Sequence, residues 1–339
     1  MRIDIVDSIE EFRVLKSDWD FLYDKDKKYS VFQSFDYNYY SWKYEYQDSN
    51  SKLAIVRVEL NSQICSILPF YMDKRKRIRF INDIHSDFCD CLSTKILNFK
   101  LIEDVLRVKF MFHHIQLINL KKESKILSFQ NISLKSKNST YSFLTLKKGV
   151  FPENFKSYKS KQKTEFRRII KKNKDNKHII VNDDSAEFPF TEIQLLRNEM
   201  IGLGLRKKSF LPDTQIDLLK QLFDKKHVVL SIVRDNSKFK AVSFIITRFN
   251  KHLFWIDMYD ESKMISLFNY INLMSKKSLK NSIIINFGRG LYNYKISNFL
   301  PEKRDLFSIS IFSSKWQEFK FKFENKLIEF LKYLLCKVR

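Results

Sequence analysis

Ile283-Ile-Ile-Asn-Phe-Gly-Arg-Gly-Leu-Tyr-Asn-Tyr-Lys-Ile-Ser-Asn-Phe299 is the stretch whose reading decides the fold. Ile283 to Phe287 is a short apolar run rich in β-branched residues and predicts a buried strand. Two of the chain's five glycines, Gly288 and Gly290, follow at once. They suit a turn where φ is positive or where backbone comes close to another group. Tyr292, Tyr294 and Lys295 then crowd a short segment that closes on Asn298-Phe299. A strand, a glycine turn and polar aromatics beside a cation are how a binding site is built at the end of a sheet strand. The plainer reading is a strand–loop–helix connection with Arg289 and Lys295 in solvent.

Working outward, Val228 to Val233, Lys240 to Arg248 and Leu253 to Tyr259 read as an antiparallel meander. Ile265 to Leu279 reads as the helix before the Ile283 strand. Upstream lie a strand at His178 to Val181 and helices over 191–205 and 213–223. Downstream, Leu306 to Phe312 is a strand. The chain then runs into a long helix striped by Trp316, Phe319, Phe323, Leu327, Phe330 and Leu334. That stripe predicts core packing, with peripheral membrane attachment as the alternative, because lysines interleave it.

The first half repeats this order. Ile3 to Val6 is a strand, and Ser8-Ile-Glu-Glu11 is a capping box opening a helix through Leu22. Ser34 caps an aromatic helix carrying Tyr37, Tyr40, Trp42 and Tyr44. It is either a sheet-packed helix or a wall for a ring-shaped ligand. Leu53–Leu60 and Ile64–Tyr71 predict a hairpin through Asn61-Ser-Gln63. A helix over 101–112 and strands at 77–81, 115–120 and 141–146 complete this half. The expected domains are 1–147 and 148–339, the second opening with a basic connecting helix over 152–175. That helix carries an apolar stripe, Phe155, Tyr158, Phe166, Ile169 and Ile170, among many lysines and arginines.

The net charge of +23 predicts attraction to polyanions, or merely a soluble surface. The basic residues are spread along the whole chain, and no helix-turn-helix, zinc or RNA-binding sheet signature is present, so DNA is not an expected partner. Cys65, Cys89, Cys91 and Cys336 fit no zinc spacing and read as buried free thiols; no metal is expected. The opening residues carry acids within their apolar run, unlike a signal peptide. No window reaches the roughly 18 apolar residues of a membrane span. A cytoplasmic location is expected; oligomeric state is left open.

The strand–helix–meander–helix–strand order, read twice, resembles the two-domain branch of the GNAT superfamily of acyltransferases, with its CelD-like, FemAB-like and FdhC-type members. Phe32-Gln-Ser-Phe with Trp42 is similar to the "FQSP…W" opening, with Phe35 at the proline. Ser66-Ile-Leu-Pro-Phe70 resembles the "G.LPL" strand. Phe287-Gly-Arg-Gly-Leu-Tyr-Asn-Tyr-Lys295 resembles "DFGRG…YK", with Asn286 at the aspartate, and Tyr294 to Phe299 resembles "Y..xGF", with Asn298 at the glycine. The resemblance implies an α/β (α+β) fold of two GNAT-like domains, each a mixed, mostly antiparallel central sheet flanked by helices. It implies N-acyl transfer from acyl-CoA (acetyl-CoA or a longer or hydroxylated acyl-CoA) to a dTDP- or UDP-linked amino sugar, for surface polysaccharide synthesis. The alternatives are an aminoacyl-tRNA donor, as in FemAB-like proteins, or a membrane-peripheral enzyme acting on a lipid-linked or polymeric glycan.

In the family a tyrosine protonates the leaving thiolate, and Tyr294 stands at that place. Asp257 is the first candidate base and His252 the second. Tyr259, Ser262, Lys263, Met264 and Lys295 are the expected donor-binding residues, Ser262 as the N-cap of the following helix, although the Asp260–Leu267 segment has no glycine to cradle a pyrophosphate. Gln33, Tyr37, Lys161, Arg167, Arg168, Arg289 and Tyr292 are the expected acceptor-binding residues.

Overall fold

Ile283–Arg289 is a strand in the computed structural model, with Ile283, Ile285 and Phe287 buried as pleating requires. The model describes all residues except 133, 134, 183, 184, 237, 261, 338 and 339, and all side chains except those and 135, 263, 325 and 328–337. The chain divides into two compact units. One is Met1–Lys27, Tyr46–Asn138 and Leu306–Arg339; the other is Lys28–Glu45 and Ser139–Asp305. Sequence reading placed one boundary after residue 147, whereas the chain passes between the units four times. The aromatic segment near Tyr37 goes with the later residues because Tyr37 and Phe32 pack their rings on Trp255. The strand Glu302–Phe312 goes with the earlier ones because Leu306 to Phe312 pairs with Lys121 to His114.

Both units carry mixed, mostly antiparallel sheets flanked by helices, the fold class expected. In the first unit Arg2–Val6, Ile55–Leu60, Gln63–Leu68 and Leu92–Ser93 form one antiparallel sheet. Its hairpin turns through two residues only, since Leu60 pairs with Gln63. Asn61 and Ser62 both take positive φ, 51° and 60°, which matches the strand twist. The expected strand to Tyr71 breaks at Pro69, which has no N–H for a ladder. Phe70–Met72 pairs instead with Arg77–Phe80.

In the second unit the order is Lys177–Val181, Val228–Asp235, Lys238–Arg248, Lys251–Tyr259, Ile283–Arg289 and Lys135–Leu146. The meander is antiparallel, as expected. Lys251–Tyr259 and Ile283–Arg289 then run parallel through three pairs, the last being Leu253 with Asn286. Beyond that pair no partnership joins them, and the two strands part.

Aromatic side chains fill the space beside the parting. Phe254 lies 3.9 Å from Tyr270, ring to ring, and stacks 6.1 Å from Phe287. Phe287 stacks 5.2 Å from Phe299, and Phe299 stacks 5.6 Å from Phe166. Each such side chain contributes about 1.5–3 kcal/mol by burial. Phe166 belongs to Ser160–Lys172, a shorter basic helix than the one expected over 152–175, since residues 152–159 form turns instead. That helix is no free linker, because Phe166 and Ile169 are buried and Tyr158 before it donates to Phe299 O at 3.1 Å.

Cys65, Cys89 and Cys91 are free and buried, as expected; the side chain of Cys336 lies outside the described residues. Among the described residues no helix is long and apolar enough to cross a membrane, and no cluster of three or more His, Cys, Asp or Glu could hold a metal ion.

Candidate functional site

A β-bulge builds the site. Phe244 pairs with Ile256 and Ile245 with Phe254, so Trp255 is the extra residue. In a regular strand Phe254 and Asp257, three apart, would face opposite sides. The bulge resets the alternation, and both reach Tyr270 of the helix Lys263–Lys280.

Asp257 is the hub. Its Oδ1 accepts from Ser243 Oγ at 2.8 Å. Its Oδ2 accepts from the Tyr270 hydroxyl and from Lys295 Nζ, the latter at 3.3 Å. Lys295 also donates to Phe287 O at 3.3 Å, a carbonyl just past the last parallel pair. The solvated-lysine reading therefore fails: Lys295 is 4% exposed. Its ammonium lies 5.2 to 5.8 Å from the ring centres of Tyr270, Tyr292 and Tyr294, a negative-faced surround suited to a cation.

Behind Asp257 runs a row of buried polar groups that sequence reading missed. Ile180 pairs with Ser231, Ser231 with Ser243, and Ser243 with Asp257, so one register line crosses four strands. Asn269, fully buried on the helix above, ties the line together. Its amide nitrogen donates to Ser231 O at 2.9 Å and Ser243 Oγ at 3.0 Å; its oxygen accepts from Ser231 Oγ at 2.7 Å. Since the Ser231 hydroxyl proton is used there, His178 Nε2, 2.9 Å away, is the donor to Ser231 Oγ. The readable signal was one polar residue inside each apolar run: Ser231 and Ser243 in strands, Asn269 in the helix.

Tyr294 opens the short helix Asn293–Phe299. Burial, and then the negative charge of Asp257, raise its phenol well above the ordinary range. Tyr270 is raised for the same reasons in the same order. Both stay protonated at neutral pH, and the Tyr270 hydroxyl donates to Asp257. Tyr292 stands half-exposed 6.2 Å from Tyr294, ring to ring. Gly288 and Gly290 take φ of 77° and 93°, as the turn demanded. Asn298 is helical and donates to Tyr294 O at 2.6 Å; the left-handed position falls on Leu300 instead.

Ser262 caps the helix Lys263–Lys280, accepting from Met264 N at 3.1 Å, as expected. The Lys263 side chain lies outside the described residues. Arg168 Nη2 approaches Met264 Sδ at 4.0 Å, so the basic helix meets this helix start. Asp260 is held by Lys240 at 3.0 Å.

Of the residues singled out in the sequence, Asp257, Tyr259, Tyr292, Tyr294 and Lys295 share this corner, Tyr259 lying close enough to act electrostatically on Tyr294. Others do not. His252 sits at the opposite end of the strand, on a groove of about 800 Å³ with Lys276, Lys277 and Lys280. Burial, then Lys277, pushes its ring down to about 4. Gln33 is consumed as a cap, accepting from Ser30 N at 3.0 Å. Tyr37 is fully buried against Phe32 and Trp255, so its ring is packing, while Tyr40 and Tyr44 further along are part-exposed and stack 6.2 Å apart. Arg167 and Arg168 pair on the surface with Glu153 and Glu165, Lys161 is exposed on the same helix, and Arg289 ends the strand at the turn.

No family model and no curated protein matches the chain. Solved structures share its fold. The C-terminal domain (DUF2156) of a lysylphosphatidylglycerol synthetase from Agrobacterium fabrum superposes with a TM-score of 0.58 at 9% identity, covering 89% of this chain and 92% of that one. FemX gives 0.56 at 8% identity over 91% and 97%. L-PGS from Bacillus licheniformis gives 0.50 at 10% identity over 75% and 83%. At such identities the likeness is one of fold.

Proposed function

We propose that this chain is an N-acyltransferase that takes the acyl group of an acyl-CoA at the parted strands and delivers it to the amino group of a nucleotide-linked amino sugar. The observation that carries this reading is the parting after Leu253 and Asn286, with Tyr294 and Asp257 at its edge. Strand backbone freed from its ladder offers unpaired N–H and C=O groups to an extended thioester arm.

The reaction balances simply. The amine nitrogen bonds to the thioester carbonyl carbon, the C–S bond breaks, and the sulfur leaves with the electron pair. The amine sheds one proton and the thiol gains one. Asp257 is the candidate acceptor for the first. Tyr294 hydrogen-bonds the departing sulfur, whose proton is the one shed by the amine, returned from Asp257 through water. A phenol raised above its usual pKa of about 10 does not end ionised beside a thiol of about 8.5. Lys295, spent on Asp257, holds that carboxylate in place, so the grip on a diphosphate falls to the capped start of the helix at Ser262 and to Arg168, which approaches Met264 there.

A second reading takes an aminoacyl-tRNA as donor. It is favoured by the glycine-free Asp260–Leu267 segment, by the net charge of +23, and by the names of the proteins that share the fold.

The test supplies purified chain with acyl-CoAs and amino-sugar nucleotides, or with charged tRNA, and follows thiol release and tRNA deacylation separately. Thiol release that needs both substrates is expected. Deacylation alone moves the assignment to the second reading, and silence in both series ends the acyltransferase proposal. A bound donor at a hundred times its Kd adds roughly 2.7 kcal/mol, visible as a raised Tm.

A further inference from the structure

We propose that the outer face of the C-terminal helix, Lys315–Lys337, docks on an anionic phospholipid surface. The helix is held by its back. Phe321 sets its ring 4.8 Å from His114 and 5.4 Å from Phe312, and Gln317, Glu318 and Phe321 are the partly buried positions of its described part. At about 100° per residue, the side away from Phe321 carries Trp316, Phe319, Phe323 and Leu327. These are 67%, 60%, 59% and 47% exposed. Sequence reading gave this stripe core packing first and peripheral membrane attachment as the alternative; these four residues face outward within their own unit, and the side chains of Phe330 and Leu334 lie outside the described residues. Its rings stack along the helix, Trp316 on Phe319 at 5.9 Å and Phe319 on Phe323 at 6.4 Å, so they form one continuous surface. An exposed apolar strip of that kind marks an interaction site.

Charge selects the occupant. On the same helical geometry Lys315, Lys326 and Lys322, the last paired with Glu318 at 2.6 Å, border the stripe on one side and Lys320 on the other. An apolar stripe with tryptophan and phenylalanine between rows of lysine is the pattern of a helix lying in the headgroup layer, rings immersed and ammonium groups on phosphates. A second copy is disfavoured, because it would bring like rows of lysine together on chains of net charge +23 each. Among the described residues no helix is long and apolar enough to cross a bilayer. This inference is independent of the acyl-transfer reading.

The experiment co-sediments the full chain with vesicles of phosphatidylcholine, alone or mixed with phosphatidylglycerol. Binding to the mixed vesicles only is expected, with a blue shift in tryptophan emission that Trp316→Phe removes; of the other three, Trp19 and Trp42 are buried and Trp255 is part-buried against Phe32 and Tyr37 in the other unit. Lys320→Gln, Lys322→Gln and Lys326→Gln together should weaken partition roughly a hundredfold, at about 1 kcal/mol per lysine. Phe319→Glu with Phe323→Glu should abolish it while circular dichroism and Tm stay unchanged, since the residues are exposed. A chain that stays in the supernatant with both vesicles overturns the proposal. So does vesicle binding that survives the double glutamate variant, or a dimer in sedimentation equilibrium that the same variant dissociates.

Discussion

Lys295 Nζ stands 3.3 Å from Asp257 Oδ2, with the two side chains 5% and 10% exposed. This buried ion pair joins the segment after the glycine turn to the bulged strand. Removing either partner leaves the other charge buried without its counterion. Asp257→Asn and Lys295→Met should therefore each cost about 3–5 kcal/mol in denaturant unfolding, and the double variant less than their sum. Additive losses would mean that the pair is not coupled.

Tyr294→Phe removes only the hydroxyl. Acyl transfer should fall by about 10²–10³-fold in kcat while donor affinity by calorimetry is unchanged. Because burial and Asp257 raise this phenol, its protonated form persists past the ordinary tyrosine range. Wild-type kcat should show no alkaline loss near pH 10. A Tyr294→Phe enzyme that turns over normally would remove Tyr294 from the chemistry.

Phe299 is fully buried and touches Phe166, Tyr270 and Phe287. Phe299→Ala should destabilise by about 3–5 kcal/mol. Phe319→Ala, on the exposed stripe, should change stability by no more than about 0.5 kcal/mol. Chemical unfolding of the two variants side by side is the check.

His114 is stacked 4.2 Å from Phe312, with both ring nitrogens buried and without a hydrogen-bond partner among the described residues. Burial, then Arg77, pushes its pKa from 6.5 down to about 4. The unfolded chain takes up this proton near pH 6.5 and the folded chain only near 4. The neutral ring's contribution is therefore complete above pH 6.5 and is lost as pH falls towards 4, on the order of 2–3 kcal/mol. His114→Phe should flatten that part of the stability–pH curve; an unchanged slope would show that the ring does not titrate on unfolding.

Much of the fold was legible because its signals are local. The meander, the helix after it and the Ile283 strand follow from apolar periodicity. Ser34 and Ser262 announced helix starts, and Gly288 and Gly290 announced positive φ. The corner holding Asp257, Tyr294 and Lys295 was found because it lies within and beside one such stretch. His252 was misplaced relative to it because residue type says nothing about which end of a strand meets the site. Gln33 and Tyr37 stood in a recognisable motif, yet their polar atoms and rings serve a cap and a packed cluster.

By itself the sequence determined which segments become strands and helices, since propensity, capping and turn chemistry act over a few residues. Tertiary structure alone decided where the two neighbouring parallel strands part, that a bulge at Trp255 turns Asp257 towards Tyr270, and that Ser231, Ser243 and Asn269 stand behind it. Those relations depend on strand register and on burial between residues far apart in the chain, which no local pattern encodes.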